Sequence, residues 1–292
     1  MTLSTSAMLV SLRISQWSAR KYDRSASKQV CELNEASLDA GNFNKQLIDK
    51  ADLKQIQRVV NSARNYHYQN TLAWDHDGAD LLPAKHYATY VREIGAYKDE
   101  FYQAVDNFVD TYPEILTHVI NNLKGLYNSK DYPTQAELRK KFSMEIVVTP
   151  IPDVGDFRVD LSQKDADTIK EELTMRLAAA NQVAAQDIYM RLYTAYAKAV
   201  VVLQTPGKIF RNSLILNILE LANKIPDLNF QNDPALHTLS QSIIKDIRKV
   251  DIEELRNSGD STYREDTAND LQFTMESIEL AYTDKWGIPD DL

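Results

Sequence analysis

Residues 87–112 set apolar and aromatic side chains at Tyr87, Tyr90, Ile94, Tyr97, Phe101, Val105, Phe108 and Tyr112. The steps are three and four residues, the spacing of one face of an α-helix. Other segments repeat the pattern. Residues 44–68 place Leu47, Ala51, Ile56, Val59, Val60, Ala63 and Tyr66 near one side, 234–256 carry Leu236, Leu239, Ile243, Ile247 and Val250, and 263–284 carry Ala268, Leu271, Met275, Ile278 and Tyr282. The longest stripe runs Ile169, Leu173, Leu177, Ala180, Ala184, Ile188, Leu192, Ala195, Ala199 and Leu203. About 40 residues of helix span about 60 Å at 1.5 Å per residue. That predicts a protruding hairpin or an oligomer contact, with alanines allowing close helix approach. Such a chain must be mainly α, with long antiparallel, coiled-coil-like helices.

The remaining elements are short. Val10–Ile14 alternates apolar and polar residues, 142–149 is the clearest strand pattern, and 157–161 alternates again. Together they predict a small antiparallel sheet, with a hairpin around the proline- and glycine-bearing loop 150–156. Thr134 and Glu137 have capping-box spacing at the start of a short helix. Turn chemistry over 71–83 predicts a break, Pro113 reads as the opening of a new helix, and Pro226 as the end of another. The expected division is an α/β part, 1–161, and a helical part with an acidic end, 162–292. With 8 glycines and 9 prolines in 292 residues, a protein of many strands and tight turns is excluded.

One cysteine, Cys31, precludes an intrachain disulfide and fits a reducing compartment. No apolar run approaches the roughly 20 residues of a membrane span, and residues 1–8 lack the basic start of a secretory signal. A cytoplasmic protein with no membrane partner is the expectation. Charge is uneven. Residues 251–292 hold a balance of −9 and residues 1–30 a balance of +4. A dipolar chain can self-associate head to tail or bind anions at one end.

No constellation names a reaction. His67, Asp75, His76, Asp77 and His86 are metal-friendly groups, but no two imidazoles share a His-x-x-x-His spacing, and Asp-His-Asp-Gly is ordinary turn chemistry. Neither a Gly-x-Ser-x-Gly elbow nor a phosphate-binding glycine loop occurs. Cys31 sits beside Glu32, which raises a thiol's pKa, and the carboxylate pairs Glu171/Glu172 and Glu253/Glu254 belong on solvated helix faces. No cofactor, metal ligand or catalytic residue is assigned. Arg13, Trp17, Arg20 and Lys21 interleave bases with an aromatic that can stack on single-stranded bases. Lys208, Arg211 and Lys224 mark another basic stretch. Against nucleic acid stands an overall pI of about 5.1. The aromatic seam over 87–112 reads as core between helices.

The segments Leu12-Arg-Ile-Ser-Gln-Trp-Ser-Ala-Arg-Lys21, Thr71-Leu-Ala-Trp74, Leu81-Leu-Pro83, Phe101, Tyr112-Pro113, Tyr132-Pro133, Leu138 and Phe142 resemble a phage- and plasmid-borne family of unknown function. Its mark is an apolar strand running into Ile-Ser-x-Trp-Ser-x-Arg-Lys. The resemblance spans roughly residues 9–160 and implies a bacteriophage origin, a host-cytoplasmic setting and genes for MoxR-type AAA ATPases nearby. It carries no catalytic residues.

The expected protein is thus a non-enzymatic, phage-encoded interaction or adaptor protein, a homo-oligomer joined through Leu177, Ala180, Ala184, Ile188 and Leu192, with an AAA ATPase or a host factor as partner. The first alternative is a single-stranded DNA-binding or annealing accessory using Arg13, Trp17, Arg20 and Lys21. The second is a metal-dependent enzyme around His67, Asp75, His76 and His86.

Overall fold

The structure, a computed structural model, describes residues 6–74, 78–151, 163–230, 232–257 and 262–287. It is mainly α with a small antiparallel sheet. The strands are β1 (Ala7–Ser15), β2 (Arg20–Tyr22), β3 (Asn44–Gln46), β4 (Leu72–Ala73), β5 (Asp80–Pro83) and β6 (Ser143–Thr149). The helices are α1 (Arg24–Leu33), α2 (Lys54–Asn70), α3 (Tyr87–Leu123), α4 (Gln135–Arg139), α5 (Gln163–Gln204), α6 (Ser213–Leu228), α7 (Pro234–Ile247), α8 (Ile252–Asn257) and α9 (Thr262–Trp286). No helix among the described residues is long and apolar enough to cross a membrane.

One sheet has the order β4-β5-β1-β6, and β2 and β3 form a separate ribbon. Ala7 lies opposite Pro83 and Val10 opposite Asp80, antiparallel. Strands β4 and β5 fall in the stretch predicted as a break. They are two and four residues long, too short for alternation to register, yet Leu72, Leu81 and Leu82 are fully buried. The strand expected at 157–161 lies outside the described residues.

The contacts do not divide at 161/162 as expected. The chain forms two compact units, each from separated segments. The first comprises the described parts of 1–11, 68–87 and 148–292; the second comprises 12–67 and 88–147. Periodicity reports which residues are helical, not which helices pack, and β1 begins in one unit and ends in the other.

In the first unit α5 is unbroken, as its stripe requires. The residues expected to join two copies are covered within this chain, which corrects the expected contact set. Ala180, Ala184, Ile188 and Leu192 are buried in this chain's own core with Ile215, Ile218, Ala268, Leu271 and Ile278 of α6 and α9, and Leu177 packs against the same cluster. The open carbonyls at the C-terminus of α5 meet a buried cation. Arg264 donates from Nε to the Leu203 carbonyl (3.1 Å) and from a terminal nitrogen to Val202 (2.8 Å) and Lys208 (2.9 Å). A positive group there suits both the unpaired carbonyls and the helix dipole.

Two helices pass through a proline that the sequence reading placed at a boundary. Helix α6 contains Pro226, which has no N–H for the carbonyl of Ala222 four residues back. The fully buried Ser240 of α7 donates its hydroxyl to that carbonyl at 2.8 Å. Helix α3 of the second unit contains Pro113 and frees the carbonyl of Val109. Gln135 donates its side-chain amide there, also at 2.8 Å. A side chain from another helix substitutes for the missing backbone donor in both cases, so neither helix stops.

The second unit packs around the aromatic seam. Tyr90, Ile94, Phe101, Val105, Phe108 and Tyr112 are buried, while Tyr97 is half-buried and Tyr87, at the first residue of α3, is exposed. Each buried side chain of this size stabilises by about 1.5–3 kcal/mol, more than the ring–ring geometry adds. The hydroxyl of Tyr112 has no hydrogen-bond partner among the described residues, and burial pushes its pKa well above the usual tyrosine range. Lys45, also buried, is held by Asp23 (3.0 Å), Asp131 (2.6 Å) and the carbonyl of Leu126 (3.0 Å). Burial alone would lower its pKa; these partners raise it instead.

Candidate functional site

The outward face of α2 forms one wall of a groove of about 740 Å³ in the second unit. Asp49 starts the wall by accepting from the backbone N–H of Ala51 at 2.9 Å, which caps the single turn that leads into α2. Ile56, Val59, Val60 and Ala63 turn inward to the core. The helical period therefore turns Lys54, Gln57, Arg58, Asn61 and Asn65 to the opposite side, where they line the groove. The facing wall is Ser18, Ala19 and Arg20. Ala19 is buried with φ +50, and its carbonyl accepts from the N–H of Leu47 at 2.8 Å. That kink sets Arg20 at the head of β2, opposite Gln46 of β3. Ile48 and Leu53 supply an apolar floor.

The electrostatics are one-sided. Arg20, Lys50, Lys54 and Arg58 are exposed and make no ion pair with any described residue. The one carboxylate in the lining, Asp49, is engaged as the cap. Nearby, burial and the charge of Asp49 push the Asp52 carboxyl above its ordinary range. The amide of Gln57 donates to Asn61 at 2.9 Å, so part of the amide row is already ordered. No aromatic ring lines the groove. Four cations over an amide row and an apolar floor can hold an extended anionic chain.

Of the four residues expected to contact a strand, the structure brings only Arg20 to the groove. Arg13 is exposed on β1 outside the lining. Trp17 is half-buried, its ring 6.4 Å from Phe108 and edge-on to Tyr112 at 6.0 Å. It packs against the core cluster and lies outside the groove. Lys21 reaches Asp131 at 3.6 Å. Lys50, Lys54 and Arg58 were missed, although their four-residue spacing on the polar side of the expected helix was a visible signal.

The metal-friendly residues do not form a cluster among the described residues. His67 is buried with its Nδ1 2.6 Å from the hydroxyl of Tyr90. His86 bonds Asp227 through Nε2 at 2.7 Å. Asp75, His76 and Asp77 lie outside the described residues. Asp227 also takes a hydrogen bond from Lys85; burial pushes its carboxyl up, and the Lys85 and His86 bonds bring it below the ordinary range. Cys31 is buried in α1. Of the second basic stretch, Lys224 is paired with Glu220 at 2.7 Å.

Compared with family models, curated proteins and solved structures, the chain has no significant match.

Proposed function

We propose that this is a non-enzymatic interaction protein whose working surface is the α2 groove, and that the groove takes an acidic, extended segment of a protein partner. The observation that carries this is the set of four unpaired cations, Arg20, Lys50, Lys54 and Arg58, around an amide-lined channel. Asparagine and glutamine side chains donate and accept together, which suits a peptide backbone. The cations suit carboxylates beside it. The resemblance of residues 12–21 to a phage- and plasmid-borne family favours a protein partner, an AAA-type ATPase or a host factor, and that segment contributes Ser18 and Arg20 to the wall.

The cations also favour a second reading, contact with the phosphates of single-stranded nucleic acid. That reading lacks a stacking platform, because Trp17 is packed and the lining has no aromatic. Fluorescence anisotropy of a labelled oligoglutamate and a labelled oligonucleotide at low salt separates the two. The acidic peptide is expected to bind, and Lys54→Glu with Arg58→Glu to weaken it at least about tenfold, two lost contacts and two repulsions of about 0.5–1 kcal/mol each. Tighter binding of the oligonucleotide, with a salt slope of about −0.7 per phosphate, selects the second reading. No binding of either, or no effect of the charge reversal, removes both.

A further inference from the structure

The first unit holds another pocket, of about 380 Å³, between α5, the end of α7 and α9. Its polar groups can be accounted for one by one. Asp246 is engaged by Lys249 at 2.6 Å and by Ser242 at 3.3 Å. The hydroxyl of Tyr263 accepts from the N–H of Asp251 at 2.7 Å. Thr267 and Thr274 donate to the carbonyls of Tyr263 and Asp270. Three groups are left over. Asp266 and Asp270, one turn apart on α9, are exposed and form no ion pair with a described residue. Tyr196 of α5 lines the same pocket, is 1% exposed, and makes no hydrogen bond with any described residue.

The Tyr196 ring is buried, but the hydroxyl is not sealed away, so whatever fills the pocket can bond to it. The hydroxyl stands close enough to Asp246 for that charge to add to the effect of burial in raising its pKa. The unmet groups are therefore two carboxylates and a phenol that offers an oxygen. They call for a ligand that carries positive charge and several N–H donors. The apolar lining fits its stem: Ile247 and Leu271 are buried, and Phe273, 72% exposed, offers a ring face at the rim. Cations favour such a ring face.

We infer that the pocket bounded by Tyr196, Asp266, Asp270 and Phe273 binds an alkyl-guanidinium or alkyl-ammonium group. Asp266 and Asp270 take the charge, Tyr196 accepts one N–H, and the alkyl stem lies on Ile247 and Leu271. The same chemistry is presented by a free amine and by the arginine or lysine side chain of a docked protein.

Titration of the full chain with agmatine, and separately with a blocked Gly-Arg-Gly tripeptide, tests this by ligand-detected NMR. An uncharged butylurea serves as control. At least one cation is expected to saturate below about 10 mM, and butylurea is not. Asp266→Asn with Asp270→Asn should weaken the cation at least about tenfold, and Tyr196→Phe about threefold, with unfolding midpoints showing that each variant is folded. Agmatine binding without the tripeptide assigns a free amine, and tripeptide binding assigns a partner's side chain. No saturation by either cation, equal binding of butylurea, or affinities unchanged in both variants overturns the assignment.

Discussion

Helix α6 runs through Pro226 because Ser240 supplies the donor that the ring removes. Deleting the serine hydroxyl should therefore be expensive only while the proline is present. Ala222 and Ser240 are both fully buried, so no water reaches the orphaned carbonyl in Ser240→Ala. Leaving one buried acceptor unpaired costs about 1–3 kcal/mol, and the loss of volume is negligible. Pro226→Ala restores an N–H that reaches the Ala222 carbonyl along the helix. In that background Ser240→Ala should cost no more than about 0.5 kcal/mol, because the acceptor keeps a partner. The two substitutions should thus couple by about 1–2 kcal/mol. Urea unfolding of the four proteins, followed by helical circular dichroism and by tryptophan fluorescence, gives each free energy. Equal costs of Ser240→Ala in both backgrounds, within about 0.3 kcal/mol, would refute the reasoning.

Three other outcomes are expected. Tyr112→Phe should be neutral or stabilising by up to about 1 kcal/mol, since it deletes a buried hydroxyl without a partner and keeps the ring; chemical denaturation read through Trp17 beside it is the check. Asp233 caps α7 through the N–H of Ala235 and pairs with Lys285. Burial raises its pKa, but the Lys285 and Ala235 hydrogen bonds bring it below the ordinary value, and Lys285 is correspondingly raised. Asp233→Asn keeps the cap and loses the charge, so it should cost about 0.5–1 kcal/mol at neutral pH. A depressed carboxylate stabilises above its unfolded pKa, so the gap to the parent should close as pH falls below about 4 in a pH series of melts. Ala184→Glu should unfold the first unit, seen as lost helical signal, and not merely shift the mass of an assembly, because Ala184 is buried among this chain's own helices.

Much of the fold was readable as periodicity. The α5 stripe, the seam of α3, strands β1 and β6, and the capping box of Thr134 and Glu137 all appear where spacing placed them. What failed depends on residues far apart in the chain. Whether a proline ends a helix turned on Gln135 and Ser240, which no local window contains. Strands β4 and β5 exist because β1 lies beside β5. The α5 stripe looked too long for one core because its covering helices, α6 and α9, could not be assigned to it from spacing. The groove was half legible. Lys50, Lys54 and Arg58 share a helical face in the sequence, but the approach of Arg20 depends on the kink at Ala19. That Trp17 packs toward Phe108 and Tyr112 was not legible, because an aromatic among bases looks the same whether its ring is packed or free.

The interleaving of the two units carries a consequence for synthesis. Once residue 147 has left the ribosome, the second unit has its whole length and can close. Ala7 and Leu9, although made before that unit, belong to a core completed by side chains as late as Ile278. Strand β1 can pair with β5 once residue 83 is made, but its apolar face must wait for the helices α5 to α9, and uncovered apolar surface in that interval invites wrong partners. A fragment ending near residue 161 would inherit the same predicament permanently: one finished body and a greasy leader whose helices were never made.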